Sequence, residues 1–334
     1  MREYLLPPTG RFYKANLHCH STVSDGRLTP AEVKELYRSL GYSIVAYTDH
    51  DVLIPHPELA DADFLPLNGF EAEITERGKN WPHTRSSHFC FIARDPENLT
   101  QPCFNPADAC IGNAQKYAAE VKHDPTLPPY VRNYTPECIN DMIRTGTEQG
   151  FFITYNHPTW SLDEYPQYMA YEGMHAMEIV NGSCEVGGYP DYNPRVYDDM
   201  LRGGKRVFAV AADDNHNFYS AESRLSDSGV GFVMICAERL EYRAITDALF
   251  RGDFYASEGP KIHALWKEDG QVHIECDPAD RILLITGTRD NNIRMAEDAP
   301  LTEASFKIPE KCDYFRLTVM DEHGRRADTQ AYFV

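Results

Sequence analysis

The residues best equipped for chemistry are histidines and carboxylates gathered in short motifs. The run Leu17-His18-Cys19-His20-Ser21-Thr22-Val23-Ser24-Asp25-Gly26 follows an apolar strand-like segment. In a strand, residues i and i+2 point to one side, so His18 and His20 can offer two imidazoles to a single metal. Asp25 follows across a serine-rich loop. Further along stand Thr48-Asp49-His50, Gly69-Phe70-Glu71, His88 at the head of HFCFIA, Asn156-His157-Pro158 and Asp213-Asp214-Asn215-His216. Taken singly, each has a plain reading: Asp49 caps a turn, Glu71 is a solvated strand-end carboxylate, the Asn-His-Pro triplet is a turn. Their occurrence in order at the ends of successive apolar runs points instead to one shared metal site. His56, His83, His123, His175, His263, His273 and His323 have no such placement.

Mixed imidazole and carboxylate donors suit Mn, Fe or Zn, and donor type does not choose among them. Two such ions acidify a shared water enough to supply hydroxide near neutral pH, and they neutralise the oxygens of a phosphate ester. The expected reaction is attack on a small phosphomonoester or phosphodiester, with a third ion or a protonated histidine assisting departure of the alcohol. Asp49 is expected to orient an imidazole rather than bind metal. The same nucleophile could attack a carboxylic or carbamate ester or an amide, and a non-catalytic metal-binding module is the rival outside enzymology.

The elements that must position these groups alternate. Strand-like runs cover 12–17, 43–48, 64–74, 88–93, 151–156, 175–180, 207–212 and 231–237. Helical patterns fall between many of them. In TPAEVKELYRSLG, Thr29 caps, Pro30 opens the helix, Glu32 completes a capping box and Gly41 ends it. Others are expected at 109–122, after Thr135-Pro136, in NPRVYDDMLRGG and in LEYRAITDALFRG. Repeated βα units favour a parallel sheet or barrel, whose strand C-termini converge on one site. His88 is the awkward member, because it precedes its apolar run. Beyond residue 260 the period changes to strand–turn–strand, with Asp269-Gly270 as a hairpin signal. The expected organisation is a barrel over 1–259, with an insertion at about 77–148, and a small all-β domain over 260–334.

Together HCHSTVSDG, TDH, GFE, HFCFI, NHP and DDNH resemble the PHP (polymerase and histidinol phosphatase) superfamily of metal-dependent phosphoesterases. The late stretch RGDFYASEGPKI also resembles its CehA/McbA-like metallohydrolase branch. The resemblance implies a distorted (β/α)7 TIM-like barrel of α/β class with two or three divalent metal ions at the strand C-termini. By motif position it implies His18, His20, Glu71 and Asp214 around one metal, Glu71 bridging to a second with His88 and His157, and Asp25, His50 and His216 around a third. Glu71, Asp25 and His216 would then sit at the chemistry. Asp213 competes with Asp214 for the last motif, or serves behind it, and His83 is the alternative to His88.

Composition narrows the partners. The chain has 334 residues, 42% hydrophobic and 25% charged, as expected of a folded protein. Its formal net charge of −19 and lack of basic runs disfavour duplex nucleic acid. No apolar run approaches a membrane span, and the N-terminus lacks a secretory pattern, so a cytoplasmic protein without a membrane partner is expected. The nine cysteines are scattered without a CxxC and are read as buried thiols. The expected partner is a small phosphorylated or ester substrate. Arg224 is the candidate phosphate clamp, Asn181 a candidate pocket residue, and WPHTRSSH with 95–148 a candidate cover over the site.

Overall fold

The computed structural model describes residues 1–80 and 82–334, so Trp81, at the start of WPHTRSSH, lies outside the described residues. The first strand, β1 (Glu3–Tyr4), belongs to a sheet formed late in the chain. The barrel begins with β2 (Arg11–Asn16), β3 (Ile44–Tyr47) and β4 (Leu65–Thr75), paired in parallel. Then β5 (Ser86–Ala93) runs antiparallel to both β4 and β6 (Phe151–Tyr155). Parallel order resumes through β7 (Ala176–Asn181) and β8 (Phe208–Ala212). A last strand, β9 (Phe232–Ala237), returns antiparallel to β2. The runs at 88–93 and 231–237 therefore depart from the expected all-parallel βα order. The physical reason lies in the connections: the described residues of 76–85 and 213–231 form no helix, and a parallel return needs a crossover of about a dozen residues, usually helical.

Local sequence explains the first helix, Pro30–Ser39. The Thr29 hydroxyl accepts from Glu32 N at 3.3 Å, and the Glu32 carboxylate accepts from Thr29 N at 2.8 Å. Val33 and Tyr37 form its buried face. The pattern at 109–122 gives only a short helix, Ala114–Tyr117. Tertiary docking overrides it: Asn113 N donates to Ser24 O at 2.6 Å, and a Cβ on Gly112 would lie 2.2 Å from that same oxygen. Phe104, Ala109, Ala114 and Val121 of this insertion pack with Val23 and Val52. The insertion thus clamps the loops that follow β2 and β3.

After β10 (Phe254–Ser257) the chain is all strand: β11 (Ile262–Glu268), β12 (Gln271–Ala279), β13 (Arg281–Thr286), β14 (Asn292–Met295), β15 (Leu301–Lys307), β16 (Tyr314–Met320), β17 (Arg326–Asp328) and β18 (Tyr332–Phe333). Asp269 and Gly270 turn the β11–β12 hairpin at φ 50° and 76°, the geometry a two-residue turn requires. One antiparallel sheet, in the order β1-β11-β12-β15, packs its inner face on the other strands through Leu265, Val272, Ile274, Leu317 and Val319. The other strands continue the barrel sheet, because β17 pairs with β10. Among the described residues no helix is long and apolar enough to cross a membrane.

Candidate metal centre

The motifs converge because backbone hydrogen bonds lace them together. Asp214 N donates to His18 O at 3.0 Å and His20 N to Asn215 O at 3.1 Å, joining the first motif to the last. Thr48 N donates to Cys19 O at 2.9 Å, and His50 bridges to Glu71 in parallel register. His88 reaches the same rim because β5 is reversed, which brings its N-terminal end beside the C-terminal half of β4. The feature that made it awkward in the sequence is what places it. His83, the alternative, is exposed.

Glu71 is the hub. Its Oε1 lies 3.1 Å from His18 Nε2, 3.2 Å from His88 Nδ1 and 3.4 Å from His157 Nε2. Its Oε2 lies 3.1 Å from His50 Nδ1 and 3.4 Å from His20 Nε2. Asp214 Oδ1 faces His18 and His20 at 3.1 and 3.0 Å. Toward the open side, Asp25 lies 3.9 Å from both His20 and His50 and 3.5 Å from His216. Donor atoms within 4.8 Å of one another form several groups: His18, His20 and Asp214; His50, Glu71 and His88; His20, Asp25, His50 and His216; and His18, Glu71 and Cys90.

These residues fit divalent cations. Glu71 Oε2 and His50 Nδ1 are buried and 3.1 Å apart, yet neither has a hydrogen-bond partner, as expected of two donors aimed at one ion. Burial opposes ionisation of Glu71 and Asp214, but the imidazoles of His18, His88 and His50 hold Glu71 well below the usual carboxylate range, and those of His18 and His20 do the same for Asp214. Asp25 is likewise lowered, burial being outweighed by His216, His20 and His50. Burial works against protonated His18 and His20, but Asp214 and Glu71 raise both well above the ordinary value. His50 goes the other way: burial and the neighbouring His20 push it down to about 3, against the opposing pull of Glu71 and Asp25. Protons and cations compete for the same lone pairs. His157 and Asp214 also adopt positive φ, 27° and 53°, strain of the kind that clusters at functional sites.

Behind the ligands stands a carboxylate the motifs did not single out. Glu178, buried in β7, accepts from His18 Nδ1 at 2.7 Å, His157 N at 2.8 Å and Asn181 Nδ2 at 2.8 Å. Asn156 Nδ2 donates to Glu71 Oε1 at 2.7 Å, and Ser86 Oγ meets His88 Nε2 at 3.1 Å. The available signal for Glu178 was a charged residue inside the apolar run AMEIV, which burial makes rare unless it is paired.

Several expected roles change. Asn181 is fully buried rather than a pocket wall, its amide nitrogen bonded to Glu178 and, at 3.1 Å, to Asp214 Oδ2. Arg224 is exposed and does not line the cavity, so it is no clamp here. Among the described residues no hydrogen bond joins Asp49 to an imidazole; it accepts from Ser21 N, Ser24 N and both serine hydroxyls at 2.7 to 3.0 Å and so shapes the loop carrying Asp25. Asp213 stands behind the centre, accepting from the backbone of Gly229, Val230 and Gly231 and from Tyr37. Of the insertion, Ile111 lines the cavity. Cys90 is a buried thiol, but one beside the ligands, 3.2 Å from Asn156 Nδ2.

No family model matches the chain, and no curated protein does. Among solved structures, the chain is similar to a two-domain protein of Bacteroides vulgatus described as containing a predicted PHP-like metal-dependent phosphoesterase. That likeness covers 99% of this chain and 98% of the other, at 17% identity and a TM-score of 0.44. It is also similar to an amidohydrolase of Chromobacterium violaceum with bound sulfate and no metal (20% identity, 60% and 87% covered, TM-score 0.40). A third is a Bifidobacterium adolescentis protein provisionally designated a metal-dependent phosphoesterase (18% identity, 67% and 94% covered, TM-score 0.39).

Proposed function

We propose that the chain is a metal-dependent hydrolase of the PHP type, a phosphoesterase that cleaves a small phosphomonoester or phosphodiester. The observation that carries this reading is Glu71, one buried carboxylate approached by five imidazoles, with each oxygen in a different set of neighbours. When bound, two or three divalent ions (Mn, Fe or Zn) supply Lewis acidity toward the phosphoryl oxygens and acidify the attacking water. The chain's part is to hold the seats. Glu71 joins the His18 side to the His50 side, and Glu178 fixes the tautomer of His18 by accepting a hydrogen bond from its Nδ1–H. Asp25 and His216, with side chains 30% and 17% exposed, are the members most open to the cavity, so His216 Nε2 can hold a proton for the departing alcohol where no third ion binds.

The test is Glu71→Gln, assayed for bound metal and for hydrolysis of p-nitrophenyl phosphate with Mn, Fe and Zn in turn. Loss of metal and a rate fall of more than about a hundredfold are expected, beyond what an outer partner costs. Unchanged metal content and rate would remove the bridge. Turnover of aryl carboxylic or carbamate esters in place of phosphates would move the reading to the other ester class. No turnover with any metal would leave a binding module.

A further inference from the structure

Beyond the metal ligands, the cavity of about 600 Å³ over the centre is lined by Glu73, Ile111, Trp160, Tyr189 and Phe218 among others. Among the described residues it is lined by no Lys or Arg. The charge of a bound phosphate is therefore left to the metals, and the organic end of the substrate meets one further charged group, Glu73. That carboxylate belongs to none of the clustered donor groups. It lies two residues beyond Glu71 on β4, hence on the same face, and opposite His88 in the β4–β5 ladder. Trp160 packs edge-on against His88 with centroids 5.0 Å apart, so carboxylate and indole neighbour one imidazole.

Glu73 is also fixed in place. Thr75 donates to it, Thr75 meets Ser86 at 2.6 Å, and Ser86 meets His88 Nε2 at 3.1 Å. The nearby guanidinium of Arg132 is engaged by Asp51 and Asp108, and its hydrogen bond to Glu73 goes to the carbonyl, at 2.9 Å, rather than to the carboxylate. At the mouth, Tyr189 and Phe218 are left open to solvent, 42% and 58% exposed. Phe218 already carries a cation, with the Arg27 guanidinium 4.6 Å from its ring centre.

A held carboxylate among aromatic rings, in a cavity that no Lys or Arg lines among the described residues, is the chemistry that recognises an organic cation. We infer that the organic part of the substrate bears a positive charge, an amine or quaternary ammonium, with Glu73 as counter-ion and Trp160 and Tyr189 as aromatic walls. The inference rests on the phosphoesterase reading for the ester, and on the cavity alone for the cation.

Calorimetric titration of the Mn²⁺-loaded protein tests the cation without relying on turnover. The probes are choline and neohexyl alcohol, its isostere with carbon in place of nitrogen. Choline is expected to bind about tenfold tighter or more. In Glu73→Gln the two affinities should converge while bound Mn²⁺ is unchanged, and Tyr189→Leu should narrow the gap severalfold. Equal affinities in the unmodified protein, no choline binding, or a preference that survives Glu73→Gln would overturn the inference. The esters of the same pair, phosphocholine and neohexyl phosphate, should differ in kcat/KM by a similar factor. Choline binding without hydrolysis of any phosphate would keep the cation site and remove the phosphoesterase reading. Hydrolysis of both esters at equal kcat/KM would do the reverse.

Discussion

Glu178 belongs to none of the clustered donor groups, yet it holds two histidines at once, accepting from His18 Nδ1 and from the His157 amide. Through Asn181 it also reaches Asp214. Glu178→Gln keeps the shape but turns one end of the side chain into a donor facing other donors. Metal affinity should fall about 10- to 100-fold, read by competition with a chelator, while circular dichroism stays unchanged. An affinity within about threefold of the parent would mean that packing alone orients the ligands. The histidines and carboxylates that converge were legible because their spacing carries meaning: an HxH after a strand, carboxylates and histidines at strand ends. Glu178 and Asn156 were not, because their roles exist only once separate strands lie side by side. Arg224 misled for the converse reason: a residue type suited to phosphate says nothing about which way its loop faces.

At the level of elements, helix and strand types were largely readable, and strand direction was not. His88 looked misplaced on a parallel strand and is well placed on an antiparallel one; the connection at 76–85, without helix among its described residues, was the clue. The insertion was legible as an insertion but not as a clamp. Its Arg132, buried, pairs with Asp51, next to His50, and with Asp108 at 3.3 Å. Asp51 N in turn donates to Glu71 O at 2.7 Å, so the pair ties the insertion to the backbone of the hub residue. Burial pushes the Asp51 carboxyl up to about 6 even with Arg132 opposing it. Arg132→Met would leave two carboxylates without their cation and should cost about 3–5 kcal/mol, measured by urea unfolding of the metal-free protein, with weaker metal retention in parallel. A loss under about 1 kcal/mol would show that the insertion rests on its apolar contacts with Val23 and Val52 alone.

Across the whole molecule, the C-terminal strands are part of how the barrel closes. The Gln330 amide donates to Ala209 O and Phe254 O and accepts from Ala209 N, filling the gap between β8 and β10 as a strand would. Arg316, fully buried, joins Asp198 of the helix Pro194–Arg202 to Asp328 of β17. Glu258 sits at the same junction: its N donates to Arg326 O at 2.8 Å, and its carboxylate accepts from Arg326 N and Nη1 at 3.1 and 3.2 Å. Burial raises its carboxyl to about 7, with Arg326 opposing and Glu185 and Asp328 reinforcing. An acid whose folded pKa lies above its unfolded one, near 4.5, keeps its proton longer in the native state. Stability is therefore undiminished below the unfolded value and falls as pH rises from there through about 7, then levels. The loss has an upper bound of about 3 kcal/mol. Glu258→Gln resembles the protonated form at every pH. Its melting temperature in a chelator, which keeps metal binding from moving with pH, should match the parent near the unfolded pKa and exceed it increasingly through neutrality. A difference that stays flat with pH, or that grows as pH falls, would mean the Arg326 contact keeps Glu258 ionised throughout.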